Sequence, residues 1–278
     1  MTFFEFMWER QTIYLKKQAG VTPPWTTDSA LKEYSFTNVY RENDKTTKWF
    51  AHNIRNPLKD QHIVLFATIC FRWFNFIDTG QKLLEDTHLV NSVFCRWDPV
   101  RCRELLINQP KWVTGAYIIK TPDGMNKLDG VIWCIDNAWK EYHHAIPPAP
   151  QSLEKMSEEI KQLPYMGDFM AYEVVTDLRH TIYGRYATDI MTWANPGPGA
   201  MRGLNRIHKR DLNLRRPKEM FIQEMRDLLE KSKTEWPNNT DYPPLEMREI
   251  EHSLCEYDKF LRVTLGEGRP RSKYHFTK

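Results

Sequence analysis

Apolar positions recur every three or four residues along most of the chain, the period of helices that bury one face. Residues 3–18 set Phe3, Phe6, Met7, Trp8 and Tyr14 among Glu, Arg and Lys, which predicts an amphipathic helix closed by Gly20 and the Pro23-Pro24 pair. Thr37 or Asn38 offers a cap for a helix from about Val39, with Tyr40, Trp49 and Phe50 on its apolar side and Arg41, Glu42 and Asp44 beside them. The most apolar stretch, 63–77, is expected to be a central core helix. Arg72 and Asn75 interrupt it, and a charge there must be paired, exposed along one side, or used in binding. Shorter helices are expected over 83–93 and 100–106.

From residue 113 the period changes. The stretches 113–119 and 130–135 bracket the turn-rich PDGMNKLDG and suggest a β-hairpin, with a helix over 133–142 as the alternative. Pro147, Pro148 and Pro150 mark a linker, which divides the chain into an N-terminal helical half (1–146) and a C-terminal half (147–278), unless both form one compact domain. Helices are then expected over 153–163, 168–183 and 186–193, from Ala200, and over 217–233 and 245–263. In the last, Leu254, Tyr257 and Leu261 mark the buried side, while Glu251, Cys255, Asp258 and Arg262 form a neighbouring stripe with Glu256 and Lys259 further round. The basic tail from Gly266 is expected to be mobile.

Composition narrows the function. A chain of 278 residues with 41% hydrophobic and 13% aromatic residues has enough apolar surface for a substantial core. No apolar run reaches the roughly 18 residues of a membrane span, and no secretory leader is expected. The five Cys are scattered without a C-x-x-C pair, as expected of reduced thiols in the cytoplasm. His143-His144 has no carboxylate or Cys at ligand spacing, so neither a metal nor another cofactor is expected. Net charge is only +3, but Arg202, Arg206, His208, Lys209, Arg210, Arg215, Arg216 and Lys218 crowd into one span after the loop Asn195-Pro196-Gly197-Pro198-Gly199. A helix start after a Gly-rich loop, followed by cations, suits a phosphate backbone. The loop lacks the GK[ST] ending of a nucleoside-triphosphate site.

The stretch LPYMGDFMA reads as a tight turn between two helices, with Gly167 expected to take positive φ and Ala171 small enough for close helix approach. An ordinary packing joint is the plain alternative. With an Asp about 18 residues on, at Asp189, the stretch resembles the helix-hairpin-helix DNA glycosylases. In those proteins the hairpin grips the DNA backbone and the Asp stabilises charge at a flipped nucleotide. The usual second hairpin Gly is Tyr165 here, and the position of the lyase Lys is Phe169, so Schiff-base chemistry is not implied.

A wider resemblance rests on FMWERQTIY, FTNVYRENDK, TGAYII, LPYMGDFMAYE, NPGPGAMRGLNR and SLCEYDKFLR in this order. Together they resemble a phage DNA base hypermodification family: the helical domain of 5-hydroxymethyluracil DNA kinases and the alpha-glutamyl/putrescinyl-thymine pyrophosphorylases, or amino acid:DNA transferases. The resemblance implies a mainly α, glycosylase-like helix-hairpin-helix bundle with a small β-hairpin insertion. It implies transfer of an amino acid or amine onto phosphorylated or pyrophosphorylated 5-hydroxymethyluracil in double-stranded DNA, with a DNA kinase as functional partner and no membrane. Arg41 and Arg72 would hold the leaving phosphate, and Asp189, Glu42 or Asp258 would take the proton. Asn38, Tyr40, Asn75, Tyr117, Tyr172, Glu256 and Lys259 would bind base or substrate, and Gly167, Gly197, Gly199, Arg202, Arg206, Lys209 and Arg210 the DNA backbone. Two other readings are a modified-base glycosylase and a non-catalytic module that presents the base to a kinase.

Overall fold

Side-chain oxygens stand at the entries of several helices. The first helix starts on a reciprocal box, Glu5 N–H donating to Thr2 Oγ1 and Thr2 N–H to Glu5 Oε2. Asp98, Asn126 and Ser152 cap three later helices by accepting from backbone N–H groups of the first turn, without the reciprocal bond. The computed structural model describes residues 1–84, 88–115, 119–147, 151–237, 242–268, 270 and 273–274. In chain order the helices are α1 (Phe3–Gln18), α2 (Ser29–Glu33), α3 (Lys45–Phe50), α4 (Asn56–Leu58), α5 (Val64–Phe74), α6 (Ile77–Leu84) and α7 (Pro99–Leu106). There follow α8 (Lys127–Tyr142), α9 (Leu153–Ile160), α10 (Asp168–Leu178), α11 (Pro198–Ile207), α12 (Lys218–Glu235) and α13 (Met247–Thr264). No strand occurs among the described residues, and none of the described helices is long and apolar enough to cross a membrane.

The chain forms two compact units. The first joins residues 1–44 to 191–278; the second is the middle of the chain, 45–190. The division read at residue 147 therefore falls inside the second unit. Both α8 and α9, on either side of that division, belong to the second unit.

In the first unit α13 is central. It packs on α1, α2, α11 and α12, and its buried side includes Ile250, Leu254, Tyr257 and Phe260. Tyr257 and Phe260 meet Phe6 of α1 at ring-centroid separations of 5.5 and 4.9 Å. In the second unit α5 is buried along its whole length, Val64 to Phe74, as expected of a helix apolar on every side. It packs on α8 and α10. Asn75 ends it in the left-handed conformation, φ 43°.

Four expectations need correction. Residues 130–135 are helical, so the anticipated β-hairpin does not form there; residues 116–118 lie outside the described residues. Leu128, Val131, Ile132, Ile135 and Ala138 repeat at helical spacing behind the Asn126 cap, which overrides the strand preference of Val and Ile. The helix expected from Val39 is only a 3-10 turn, Arg41–Asn43, and residues 186–193 form turns. At the LPYMG joint Tyr165, not Gly167, takes positive φ (62°), while Gly167 caps α10 at φ −76°. Most of the tail lies outside the described residues; of those described, Tyr274 N–H donates to Glu33 O, and Lys17 Nζ donates to the Tyr274 hydroxyl at 2.8 Å.

Candidate functional site

Four of the six sequence motifs belong to the first unit, and contacts join them around α13. Arg10 of α1 is buried, its Nε donating to Thr37 O at 2.8 Å and its Nη1 lying 3.5 Å from Ser253 Oγ. Thr37 N–H donates to Glu256 Oε2 at 3.0 Å. The 37–44 segment is thus tied to α1 on one side and to α13 on the other. Asp44 closes it: Asn38 donates to Asp44 Oδ1 from its backbone N–H (2.9 Å) and from Nδ2 (3.0 Å).

The charges in this seam perturb one another strongly. Burial pushes the Asp44 carboxyl up to about 6; the Asn38 amide, Arg41 and Arg10 pull against it, while Glu256 adds to it. His252 Nε2 lies 3.8 Å from Asp44 Oδ2. Burial also raises Glu249, to about 7, against the pull of Arg248, whose Nε lies 2.8 Å from Glu249 Oε1. Glu256 comes out below its ordinary value: burial pushes it up, but Lys259, Arg10 and His252 outweigh that. Burial works against the charge on Arg248, yet Glu249, Glu42 and Glu246 hold it protonated, and the nearby Arg41 opposes them as a like charge. Arg248 also pairs with Glu42 Oε1 at 3.6 Å. Arg41 and Arg248 thus lie within electrostatic reach of one another, with Glu42, Glu246 and Glu249 as the acidic partners of Arg248.

The other expected site residues of this unit have structural partners. Gly197 N–H donates to Glu251 Oε1 (3.3 Å), so a carboxylate of α13 already sits at the α11 N-terminus. A Cβ on Gly199 would stand 2.4 Å from Cys255 Sγ, which makes this glycine a point of helix contact. Asp258 binds Arg206 (2.7 Å), Arg202 (3.2 Å) and Arg262 (3.2 Å). Arg210 forks onto Glu224 at 2.6 and 2.7 Å, and Arg216 reaches the same carboxylate at 2.9 Å. The dense basic span is therefore largely internally paired, with Lys209 and Arg215 among its exposed cations. Tyr40 is buried, donates to Pro243 O at 2.9 Å and has its hydroxyl raised to about 12 by burial.

The remaining expected residues belong to the second unit. Arg72 is buried against Asp177, with bonds of 2.5 and 2.9 Å, and donates to Asn75 Oδ1 at 2.7 Å. Asp189 accepts from Ser152 Oγ (2.9 Å), Leu153 N–H (2.8 Å) and Glu154 N–H (3.0 Å), so it anchors the start of α9. Tyr172 is buried on α10. Beside Gly167 there is open space, although Asp168 follows it with a negative charge that an approaching phosphate would meet. Tyr117 lies outside the described residues. Arg41 and Asp258 thus fall in one unit, Arg72 and Asp189 in the other.

Arg10, Asp44, Arg248 and Glu249 were not singled out from the sequence. Arg10 carried the same signal as Arg72, a charge on an aromatic-rich helix, and Asp44 stands inside FTNVYRENDK.

Comparison with known proteins agrees with the motif order. The family described as "5-hmdU DNA kinase, helical domain" matches residues 1–269. A protein of Bacillus phage SP10 described as "5-hmdU DNA kinase" is 25% identical over 292 residues, covering 95% of this chain and 45% of the phage protein. The chain thus spans less than half the length of that relative. No solved structure matches.

Proposed function

The chain belongs to the family of the 5-hmdU DNA kinase helical domain, and we propose that it recognises DNA carrying phosphorylated 5-hydroxymethyluracil and transfers an amine or amino acid onto that base. The observation that supports the reading is the buried seam of the 37–44 segment against α13, where Asp44 N–H donates to Arg41 O at 3.0 Å and Arg248 reaches Glu42 of the same turn at 3.6 Å; Asp44 is its proton-accepting carboxylate. Displacing a phosphate by an amine requires an anion seat and a proton acceptor together. The amine nitrogen attacks the exocyclic methylene carbon and the carbon–oxygen bond to phosphate breaks. Phosphate leaves with the bonding electron pair onto Arg41 and Arg248, and the new ammonium gives its proton to Asp44.

Within these 278 residues there is no G-x-x-x-x-G-K-[ST] loop, so phosphorylation from a nucleoside triphosphate is not assigned to them. A second reading draws on the kinase description of the phage relative: a module that binds modified DNA and presents the base to a kinase. The test is incubation with duplex DNA containing 5-phosphomethyluracil and a mixture of amino acids, followed by nucleoside mass analysis. An aminated nucleoside, lost in Asp44→Asn, supports transfer. Unchanged DNA with retained binding supports the module, and an abasic site overturns both in favour of a glycosylase.

A further inference from the structure

Tyr40 connects the charged seam to a cavity of about 470 Å³ in the first unit. The cavity is walled by Met191, Leu229, Trp236, Tyr242 and Pro243, with Lys233 at its edge. Its volume lies in the range of small-molecule sites, and its wall is of the kind such sites use, mostly apolar with a few polar groups. Tyr40 stacks on Tyr242 with ring centroids 6.3 Å apart and planes 24° from parallel, and meets Trp236 edge-on at 6.3 Å. The Trp236 indole N–H is buried and faces the Tyr40 hydroxyl without closing a hydrogen bond of normal geometry. Arg41 and Glu42 follow Tyr40 in the chain, and Glu42 pairs with Arg248.

We propose that this cavity binds the pyrimidine ring of a nucleotide against Tyr242 and Trp236, with the nucleotide's own phosphate at Lys233. The inference rests on the modified-base reading above and says where that base sits. Flat aromatic faces suit a nucleobase, because every base has a π-face to stack. The described lining contains no carboxylate, so a free ammonium group would find no counter-charge there; Lys233 gives an anion one. Lys233 also meets Glu230 at 2.6 Å, an exposed pair that costs little to exchange for a phosphate. The aromatic wall and the edge cation favour the base over the amine as occupant.

The experiment uses the full chain and 5-hydroxymethyl-2′-deoxyuridine 5′-monophosphate, titrated by calorimetry and by the indole N–H resonances in ¹⁵N spectra, with Trp236 assigned through Trp236→Phe. Saturable binding that shifts the Trp236 indole signal is expected. Tyr242→Ala and Lys233→Glu should each weaken it at least tenfold, and the nucleoside without phosphate should bind the wild type as weakly as the monophosphate binds Lys233→Glu. Absence of an indole shift at saturation, or wild-type affinity in both variants, overturns the proposal. Lys233 is exposed, its pair with Glu230 lies on the surface, and Lys233→Glu is expected to fold, so that variant stays informative if Tyr242→Ala fails to fold. Binding of duplex DNA with the modified base is measured alongside. Retained discrimination of modified DNA by both variants sinks the pocket assignment alone, whereas wild-type protein indifferent to the modification sinks the functional reading itself.

Discussion

Gly203 of α11 lies so close to the backbone of α13 that a Cβ built on it would stand 2.5 Å from the Leu254 carbonyl oxygen. The neighbour is main chain inside a helix and cannot rotate away. Gly203→Ala must therefore push α11 off α13, and overpacking of this kind costs about 1–3 kcal/mol. Gly167→Ala is the matching control, since nothing stands within 4 Å of the new methyl and its φ of −76° suits any residue. Urea titration should show a lower midpoint for the first variant and a change within about 0.5 kcal/mol for the second. A stable Gly167→Ala protein that loses DNA binding would show that the α9–α10 joint, despite Asp168, does meet the backbone.

Arg72 and Asp177 form the buried ion pair of the second unit, with Arg55 3.8 Å from the same carboxylate. Removing one member strands the other in the core. Arg72→Met should cost about 3–5 kcal/mol, and Arg72→Met with Asp177→Leu should recover part of that loss. A double-mutant cycle by chemical denaturation reads the coupling directly. If Arg72→Met keeps its stability but raises KM for modified DNA, the arginine binds substrate, as the resemblance first implied.

The Asp189 carboxylate receives two backbone amides and a hydroxyl at the start of α9, the work of a helix cap. Asp189→Ala should lower stability by about 0.5–2 kcal/mol, the usual range for a lost cap. Asp189→Asn keeps an acceptor and should retain both stability and turnover. A folded Asp189→Asn protein with turnover reduced a thousandfold would return this residue to the chemistry.

What could be read in advance depended on how far apart the interacting residues stand in the chain. Local periodicity located α1, α5 and α13, because their apolar stripes and caps lie within a few turns of each other. It failed at α8, where Val131, Ile132 and Ile135 look like a strand until the Asn126 cap and the spacing of Leu128 and Ala138 are weighed with them. Arg72 stood out as a charge in an apolar helix, but its partner Asp177 is 105 positions away and no local pattern names it. Arg10 and Thr37 are 27 positions apart, Thr37 and Glu256 219. The charged seam therefore became visible only when the two ends of the chain were brought together. The basic span from Arg202 to Lys218 misled in the opposite direction: its arginines were legible as charges, while the acids that neutralise them, Asp258, Glu224 and Glu267, come from later helices and loops.

Asp44 and Glu249 make the fold itself sensitive to pH. Their carboxyls rise from ordinary values of 3.8 and 4.5 to about 6 and about 7, in both cases chiefly by burial. A raised folded-state value means that the native protein holds a proton the unfolded chain has released, so stability falls as pH rises. The contribution of Asp44 is complete below pH 3.8 and lost by about pH 6; that of Glu249 is complete below 4.5 and lost by about 7. A tenfold change in proton affinity is worth about 1.4 kcal/mol, so a decline of a few kcal/mol is the scale to look for. Arg10, Arg41, His252 and Glu256 face Asp44, and Arg248 and Glu246 face Glu249. His252, when protonated, offsets part of the loss by its attraction to the Asp44 carboxylate. Denaturation midpoints measured from pH 4.5 to 7 should therefore decline, with the decline reduced in Asp44→Asn and in Glu249→Gln. The two variants part company on turnover. Asp44→Asn should remove amine transfer at every pH, because the proton acceptor is gone, whereas Glu249→Gln keeps the α13 capping contact with Glu246 N–H and should change the stability profile more than the rate. A flat stability profile in the wild type would mean that water reaches both carboxylates and that Asp44 is not the perturbed proton acceptor of the proposed chemistry.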